Sequence, residues 1–294
     1  MCCVRRNGWT LHEMIISLSI MGIVLGLASH TATQQLRFFR GVGDVVALRA
    51  QVGHATEIVA SVLSDASTAD ITLARDSVLE LHASVGTAVA CESSPGRITI
   101  PAASASAGNT LGAYVESPGP GDSMMTFFED SLGASWLGLH IASTPVSAGS
   151  CFVFPSVSTT WVLALQEPLV VPAGAVLRFT RPLRLSLYRA SDNRWYLGAK
   201  DWNGSAQRFN SIQPVAGPLM PYSADPARSG LSLRYLDKQG VSLADGADPA
   251  GIASITIVAR GEAVTPVRAD GLQSGQNGKY ADSSVVTVGI RNAQ

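Results

Sequence analysis

One apolar run near the N-terminus limits what this chain can fold into. It extends from Trp9 to about Ala28 and directly follows Arg5 and Arg6. At about 1.5 Å per residue, roughly 20 helical residues just cross the hydrocarbon core of a bilayer. The two arginines predict that the N-terminal end of this helix stays in the cytoplasm. We therefore expect a transmembrane helix over 9–29 and an exported domain after it.

A secretory signal peptide is the alternative interpretation of the run. Such a peptide ends in a small-residue cleavage site, which Ala28-Ser29 or Thr31-Ala32-Thr33 supplies. Glu13 argues against it, because signal peptides avoid charge in the apolar region. A carboxylate in lipid is costly, so Glu13 is a candidate functional residue that needs a cationic partner, unless it reaches the cytoplasmic headgroups. The segment contains no Lys or Arg, so the partner comes from another molecule or a chain end.

The residues around Glu13 resemble a known processing signal. Gly8-Trp9-Thr10-Leu11-His12-Glu13, followed by an apolar stretch, resembles the class III signal of type IV prepilins and type II secretion pseudopilins. That family usually has Phe where this chain has Trp9, and an apolar residue at the position of His12. The resemblance implies that a prepilin peptidase removes the leader 1–8 by cutting after Gly8 and methylates Trp9. It also implies that Thr10, Leu11 and Glu13 serve assembly, with Glu13 pairing with the Trp9 amine of a neighbouring subunit.

The helix is expected to continue past the membrane. Gly22 and Gly26 lie one turn apart on one face of the apolar half, where small residues let helices approach closely. Over 30–65 an amphipathic half is predicted, with Phe38 and Phe39 at the membrane exit and a bend at Gly41 and Gly43. Its apolar stripe is predicted from helical spacing to be Val45, Leu48, Val52, Ala55, Val59 and Val62.

The remainder, 66–294, is predicted to be β-rich. Short alternating runs are separated by Gly, Pro, Asn and Asp, and Asp192-Asn193 is typical of a hairpin turn. The predicted strands are Ser77–His82, Arg97–Ile100, Cys151–Phe154, Trp161–Leu165, Val176–Phe179, Leu183–Arg189, Arg194–Leu197, Leu231–Leu236, Ile252–Arg260 and Val285–Arg291. The class is therefore α+β, a long N-terminal helix packed on an antiparallel sheet in a pilin-like arrangement. The Gly-, Ser- and Pro-rich segment 93–150 is a candidate insertion that carries partner specificity.

The C-terminal half carries a second resemblance. The motifs follow one another in the order Leu185–Arg189, Ile212–Val215, Leu231 to Gly240, and Ile252 to Arg260. This order is similar to the end of the minor pilin W and pseudopilin J group. It implies a minor, tip-type subunit held in the bacterial inner membrane with its C-terminal domain in the periplasm. The implied partners are other pilins or pseudopilins, the prepilin peptidase, the inner-membrane assembly platform and membrane lipid.

Other functional classes find little support in the sequence. The net charge is −1, so no nucleic-acid partner is expected. No nucleophile-elbow, zinc-protease or P-loop motif occurs, and no cofactor, metal or enzymatic activity is expected. Cys91 and Cys151 are candidates for a disulfide, with two buried free thiols as the alternative. Asp225, Asp245 and Asp248 lie in Gly- and Pro-containing loops, as turn residues or calcium ligands.

A non-polymerising anchored adhesin or ligand-binding module is the alternative function. The same helix would then anchor a binding domain, and Trp161, Trp195 and Trp202 would line a ligand surface. Core packing is the commoner use of such aromatic residues in β-sheets.

The processing signal makes a direct prediction. Gly8→Arg should leave the leader attached, because the implied cleavage site is the Gly8–Trp9 bond. Intact mass of the protein from its native membrane should give a chain beginning at methylated Trp9 for the wild type and an uncut chain for the variant. A variant of normal mature mass would contradict the signal, and a wild type that begins near Thr31 would indicate an ordinary signal peptide.

Overall fold

The computed structural model describes residues 10–103, 111–130, 133–263 and 279–291. One long helix near the N-terminus is followed by antiparallel sheets, which confirms the predicted α+β class. The chain divides into two compact units, one of 1–49 with 262–281 and one of 50–261 with 282–294.

The helix, α1, spans Leu11–Ser64 and continues through Gly41 and Gly43 without interruption. Its residues from Leu11 to Arg40 are exposed on every side. Within the described residues, α1 is the one helix long and apolar enough to cross a membrane. A helix that is apolar all round needs lipid or protein against it, so this half fits a transmembrane helix.

From Val45 to Leu63, α1 buries one apolar face. Its buried apolar stripe is Val45, Leu48, Val52, Ala55, Val59 and Leu63. The prediction of Val62 in this stripe was wrong, since Val62 is only half-buried and Leu63 is fully buried. The steps of three and four residues continue from Val59 to Leu63, which keeps the side chains on one face of a 3.6-residue helix.

Sixteen strands follow α1 in the described residues. In chain order they are β1 Ile71–Ala74, β2 Val78–Val89, β3 Glu92–Ser94, β4 Arg97–Pro101, β5 Gly112–Tyr114, β6 Ser123–Asp130, β7 Gly133–His140, β8 Val146–Ala148, β9 Thr160–Ala164, β10 Val176–Arg189, β11 Trp195–Asn203, β12 Arg208–Phe209, β13 Gln213–Leu219, β14 Leu231–Leu236, β15 Ser254–Glu262 and β16 Ala281–Gly289. Nine of them form one sheet (β1, β2, β5–β7 and β10–β13), four form a second (β3, β4, β9 and β8), and β14–β16 form a third.

Strand β10 organises the nine-stranded sheet. One edge of β10 pairs with β2 over its length from Val176 to Ser186. Its other edge pairs first with β6, up to Thr180, and then with β11, from Leu183. Pro182 lies between these two neighbours, at a position where neither β6 nor β11 pairs with β10. A proline lacks the N–H for a ladder hydrogen bond, so this gap accommodates it.

The largest described core cluster lies between the nine-stranded and four-stranded sheets. Its members come from β2, β6, β7 and β10 on one side and from β4 and β9 on the other, and they include Phe179, Leu177, Met124, Ile100 and Leu163. The segment 93–150 therefore contributes strands to both layers as well as core side chains.

Most strand predictions are confirmed, and two are corrected. The predicted strands Val176–Phe179 and Leu183–Arg189 form one continuous strand, β10. Asn193 adopts the left-handed conformation (φ 66°) in the β10–β11 hairpin, and the Asp192 carboxylate accepts a hydrogen bond from the Arg194 N–H at 3.0 Å. The predicted strand Cys151–Phe154 is instead a loop. The Val157 N–H donates to the Phe154 carbonyl at 2.9 Å and closes a tight turn directly after this stretch.

Cys91 and Cys151 form a disulfide, with their Cα atoms 5.5 Å apart. Both are buried, and they pack with Val157, Phe154 and Leu111 in a cluster separate from the main core. The bond ties the loop before β9 to the end of β2.

Removing this disulfide should destabilise the β-rich part of the chain. It joins residues 60 positions apart, and cross-links over loops of this size stabilise proteins by about 2–4 kcal/mol. The Cys91→Ala/Cys151→Ala double variant should lose that amount in urea unfolding of the full chain in detergent. Cys2→Ala/Cys3→Ala is the matched control and should leave the midpoint unchanged. Equal midpoints for both double variants would contradict the structural role.

Candidate functional site

The first turn of α1 holds the residues that the sequence marked for assembly. Thr10 precedes the helix, and its carbonyl accepts the first helical hydrogen bond, from the Met14 N–H at 3.2 Å. The Glu13 Oε2 atom accepts two hydrogen bonds from Thr10, one from its backbone N–H at 2.9 Å and one from its hydroxyl at 3.0 Å. The Thr10 hydroxyl oxygen in turn lies 3.4 Å from the Glu13 N–H. Thr10 and Glu13 thus form a capping box.

This capping box gives Glu13 a partner within its own chain. Only a cationic partner of Glu13 was predicted from the sequence. The capping box was not, although Thr-x-x-Glu ahead of an apolar run is its sequence signature. Both hydrogen bonds converge on Oε2. A carboxylate at the start of a helix is also stabilised by the positive end of the helix dipole. A cap and a later pairing with a cation are therefore compatible uses of the same side chain.

The two serine hydroxyls of the apolar half are satisfied within the helix. The Ser17 hydroxyl donates to the Glu13 carbonyl and the Ser19 hydroxyl to the Ile15 carbonyl, both at 2.8 Å. In lipid there is no water to replace such bonds, so internal pairing suits a membrane-spanning helix. A Cβ added at Gly22 or Gly26 would meet no atom within 4 Å, so neither glycine is required by contacts within the chain.

A second feature of α1 was not found from the sequence. Leu36, Phe39, Val42 and Val46 are 57%, 67%, 44% and 61% exposed. At about 100° per residue they fall within about 120° of one another, on the side of the helix opposite Leu48, which is 3% exposed. Val45, which is 8% exposed, lies about 60° from Val42, at the edge of the buried side. We call these four residues the outer stripe. The helical spacing predicted only the buried stripe, and Phe38 and Phe39 were predicted to lie at the membrane exit.

The tryptophans of the alternative function do not share a surface. Trp161, on β9, packs against the main core and lies 5.3 Å from the Tyr114 ring. Trp195 and Trp202 are both on β11 but an odd number of residues apart, so they point to opposite faces of the strand. Trp202 packs against Phe209, with the ring centroids 5.2 Å apart.

Each of the three acidic loop residues accepts a hydrogen bond from a backbone N–H. Asp248 accepts from the Ala250 N–H at 3.0 Å, Asp225 from the Ala227 N–H at 3.0 Å, and Asp245 from the Asp76 N–H at 2.8 Å. In the part of the chain that the structure describes, no group of three or more His, Cys, Asp or Glu residues is placed to hold a metal ion.

The histidines are likewise dispersed. His54 is exposed on α1. Burial lowers the pKa of His82, on β2. His140 Nδ1 lies 2.8 Å from Glu167 Oε1 at the end of β7. These histidines lie in separate elements, α1, β2 and β7.

The residues named for processing and assembly fall in two groups. Gly8 and Trp9 lie outside the described residues, whereas Thr10, Leu11 and Glu13 lie at the start of α1. Comparison of the chain with models of known protein families, with curated proteins and with solved structures finds no match. The residues of α1 are therefore the basis for a functional proposal.

The capping box predicts a difference between two conservative substitutions. Thr10→Val removes the hydroxyl and should cost about 1 kcal/mol of helix stability at this end, whereas Thr10→Ser keeps it and should cost little. Hydrogen exchange of the Glu13 and Met14 amides, which both donate to Thr10, should be roughly fivefold faster in Thr10→Val only, measured on the full chain in detergent micelles. Equal exchange in both variants would show that the cap does not hold this turn.

Proposed function

We propose that this chain is a minor pilin or pseudopilin, a structural subunit that primes or caps a type IV pilus or a type II secretion pseudopilus after processing by prepilin peptidase. The observation that carries the proposal is the outer stripe. If the membrane ends near Ala28, the stripe begins about 12 Å and ends about 27 Å beyond it, at 1.5 Å per residue. An anchor that works alone needs apolar surface only inside the bilayer.

The energetics of the outer stripe favour a partner. Fully burying an aliphatic or aromatic side chain contributes about 1.5–3 kcal/mol, so each half-exposed member of the stripe forfeits on the order of 1 kcal/mol in water. Phe39 and Val46 are the most exposed of the four. Neighbouring α1-type helices in an assembled filament would cover them and recover that free energy.

The N-terminal turn supplies the electrostatic part of the mechanism. Cleavage after Gly8 leaves a cationic amine on Trp9, beside the Thr10–Glu13 capping box. Before assembly, Thr10 satisfies the Glu13 carboxylate within the subunit. During assembly the carboxylate pairs with the Trp9 amine of a neighbour, in an apolar surrounding where an opposite charge is strongly favoured and an unpaired acid is costly. This pairing sets the axial register of the incoming subunit.

The bare surface around Gly22 and Gly26 supports close helix packing in the membrane. Since contacts within the chain require neither glycine, their small size is available to a helix from another subunit. In this mechanism the exported domain performs no chemistry. It is carried on the buried stripe of α1, while the outer stripe stays available for neighbours.

The proposal predicts that two different changes in α1 impair assembly. Glu13→Ala, and separately Phe39→Ser/Val46→Ser, should keep membrane insertion but lower co-purification with partner pilins from native membranes about tenfold, because one loses the latch and the other the apolar cover. The matched control is Arg37→Ser, an exposed change on a different side of the same helical turns.

Three results would bear on this differently. Normal co-purification of both assembly variants would contradict the proposal. Loss with Arg37→Ser as well would mean that the helix is perturbed in general, and the outer stripe would lose its role. Intact filaments together with lost surface adhesion in a deletion strain would favour the anchored adhesin.

A further inference from the structure

An Asn-x-Ser tripeptide lies in the turn that joins β11 to β12. It consists of Asn203, Gly204 and Ser205, and no other asparagine of the chain is followed two residues later by Ser or Thr. This tripeptide is the acceptor for N-linked glycosylation, a modification of surface loops in exported proteins. The assembly mechanism proposed for α1 makes no use of it.

The turn lies on the surface, at an edge of the nine-stranded sheet. β12 has 2 residues and, among the described strands, pairs only with β11. The residues from Ser205 to Arg208 are exposed, and Asn203 is half-buried. An enzyme can therefore reach the turn while the sheet stays folded.

The side-chain amide of Asn203 has a defined orientation. Its Oδ1 atom accepts a hydrogen bond from the Ala206 N–H at 2.9 Å, and a backbone N–H can only donate, so the oxygen side of the amide is fixed. Its Nδ2 atom donates to Asn210 Oδ1 at 3.3 Å, longer than the range of about 2.7–3.2 Å that is usual for such bonds. The second N–H of Nδ2 takes part in none of the hydrogen bonds of the described residues. The fold thus holds the nitrogen that would carry a sugar only weakly.

The fold explains the glycine of the tripeptide but not its hydroxyl. A Cβ at Gly204 would overlap the carbonyl oxygen of Pro120, so packing against the loop before β6 requires glycine there. Ser205 is exposed, and within the described residues its hydroxyl makes no hydrogen bond. A hydroxyl at this position is the group that the glycosylation tripeptide requires.

An acidic side chain lies beside the acceptor. Asp201 precedes Asn203 by two residues, so both side chains point to the same face of β11. Asn210 connects them, because its amide donates to Asp201 Oδ2 at 2.9 Å and accepts from Asn203. The exposed carboxylate places a negative charge next to the acceptor amide, where a cationic enzyme surface can recognise it.

We propose that Asn203 is an N-glycosylation site, and that the donor is an oligosaccharide linked to a membrane lipid through pyrophosphate. Asn203 Nδ2 attacks the anomeric carbon of the donor, so a C–N bond forms and the C–O bond to the pyrophosphate breaks. The lipid pyrophosphate leaves with the bonding electron pair, and the amide nitrogen loses one proton to a base of the transferase. This inference rests on export of the β-rich part of the chain, which the proposed function also requires. A bulky glycan at Asn203 would keep this edge of the sheet on the surface of an assembled filament.

One tryptic peptide tests the site. The peptide from Asp201 to Arg208 follows Lys200 and contains the whole tripeptide. In protein from native membranes, mass spectrometry should show this peptide with an added glycan. Ser205→Ala should lower the glycan occupancy at least tenfold and leave the urea midpoint of the unglycosylated chain unchanged, whereas Ser205→Thr should retain the glycan. A wild-type peptide without glycan, or equal occupancy in wild type and Ser205→Ala, would overturn the proposal.

Two further variants separate recognition of the site from assembly. Asp201→Asn removes the charge with little change in size and should lower occupancy severalfold, and equal occupancy would overturn the part assigned to Asp201. Glu13→Ala should leave occupancy unchanged, because glycan transfer requires export but not assembly. An unmodified Asn203 in a chain that still co-purifies with partner pilins would therefore overturn the glycosylation site and leave the proposed function standing.

Discussion

The uncovered apolar surface of α1 is the constraint on which the other features depend. From Leu11 to Leu27 the large aliphatic side chains are all about half exposed or more. At about 1.5–3 kcal/mol for each buried side chain, leaving this run in water would forfeit on the order of 20 kcal/mol. That exceeds the roughly 5–15 kcal/mol by which a folded domain is stable. Lipid or other helices must therefore cover the segment, and the polar groups inside it must be satisfied locally.

The capping box shows how a carboxylate is tolerated at the start of such a helix. Thr10 supplies two donors to one oxygen of Glu13, and the helix dipole favours negative charge at this end. These contacts offset part of the desolvation of the acid but provide no neutralising charge. A cation brought by a neighbour would add the missing Coulomb interaction. The Glu13 carboxylate is thus stabilised by Thr10 within the chain, and in the proposed assembly a cation from a neighbour would stabilise it further.

The sequence predicted the elements whose pattern has one physical cause. The strand predicted over Leu231–Leu236 has those bounds in the structure, although Ser232 is buried together with Leu231 and Leu233. The alternation of Cys151 to Phe154 looks the same but arises from a disulfide and a local turn, which no periodicity distinguishes. The two predicted strands Val176–Phe179 and Leu183–Arg189 are parts of one strand, β10. Pro182 is accommodated inside it where neither β6 nor β11 pairs with β10, and these pairings are distant in sequence.

For the candidate site, the sequence located the residues but not their contacts. Glu13 stood out because it is an acid in an apolar run, whereas its bonds to Thr10 follow from the helix starting at Leu11. The outer stripe was missed for a different reason. Burial of Val45 and Leu48 leaves Phe39 and Val46 uncovered, and a stripe that the fold does not bury is visible only once the buried one is known.

Polar contacts at the C-terminal end of α1 hold the helix to the β-sheets. Arg178, on β10, donates to the Asp65 carbonyl at 2.9 Å and lies 3.0 Å from Asp70, which is 2% exposed. Asp70 also accepts bonds from the backbone N–H and hydroxyl of Ser67, at 2.7 and 2.8 Å. Losing one partner of a buried pair costs about 3–5 kcal/mol, so this junction resists rearrangement. Within the same unit, Thr56 of the helix bonds Ser284 of β16 at 2.8 Å. Polar contacts at the end and along one face of the C-terminal part of α1 thus fix this part of the helix to the sheets of the same unit.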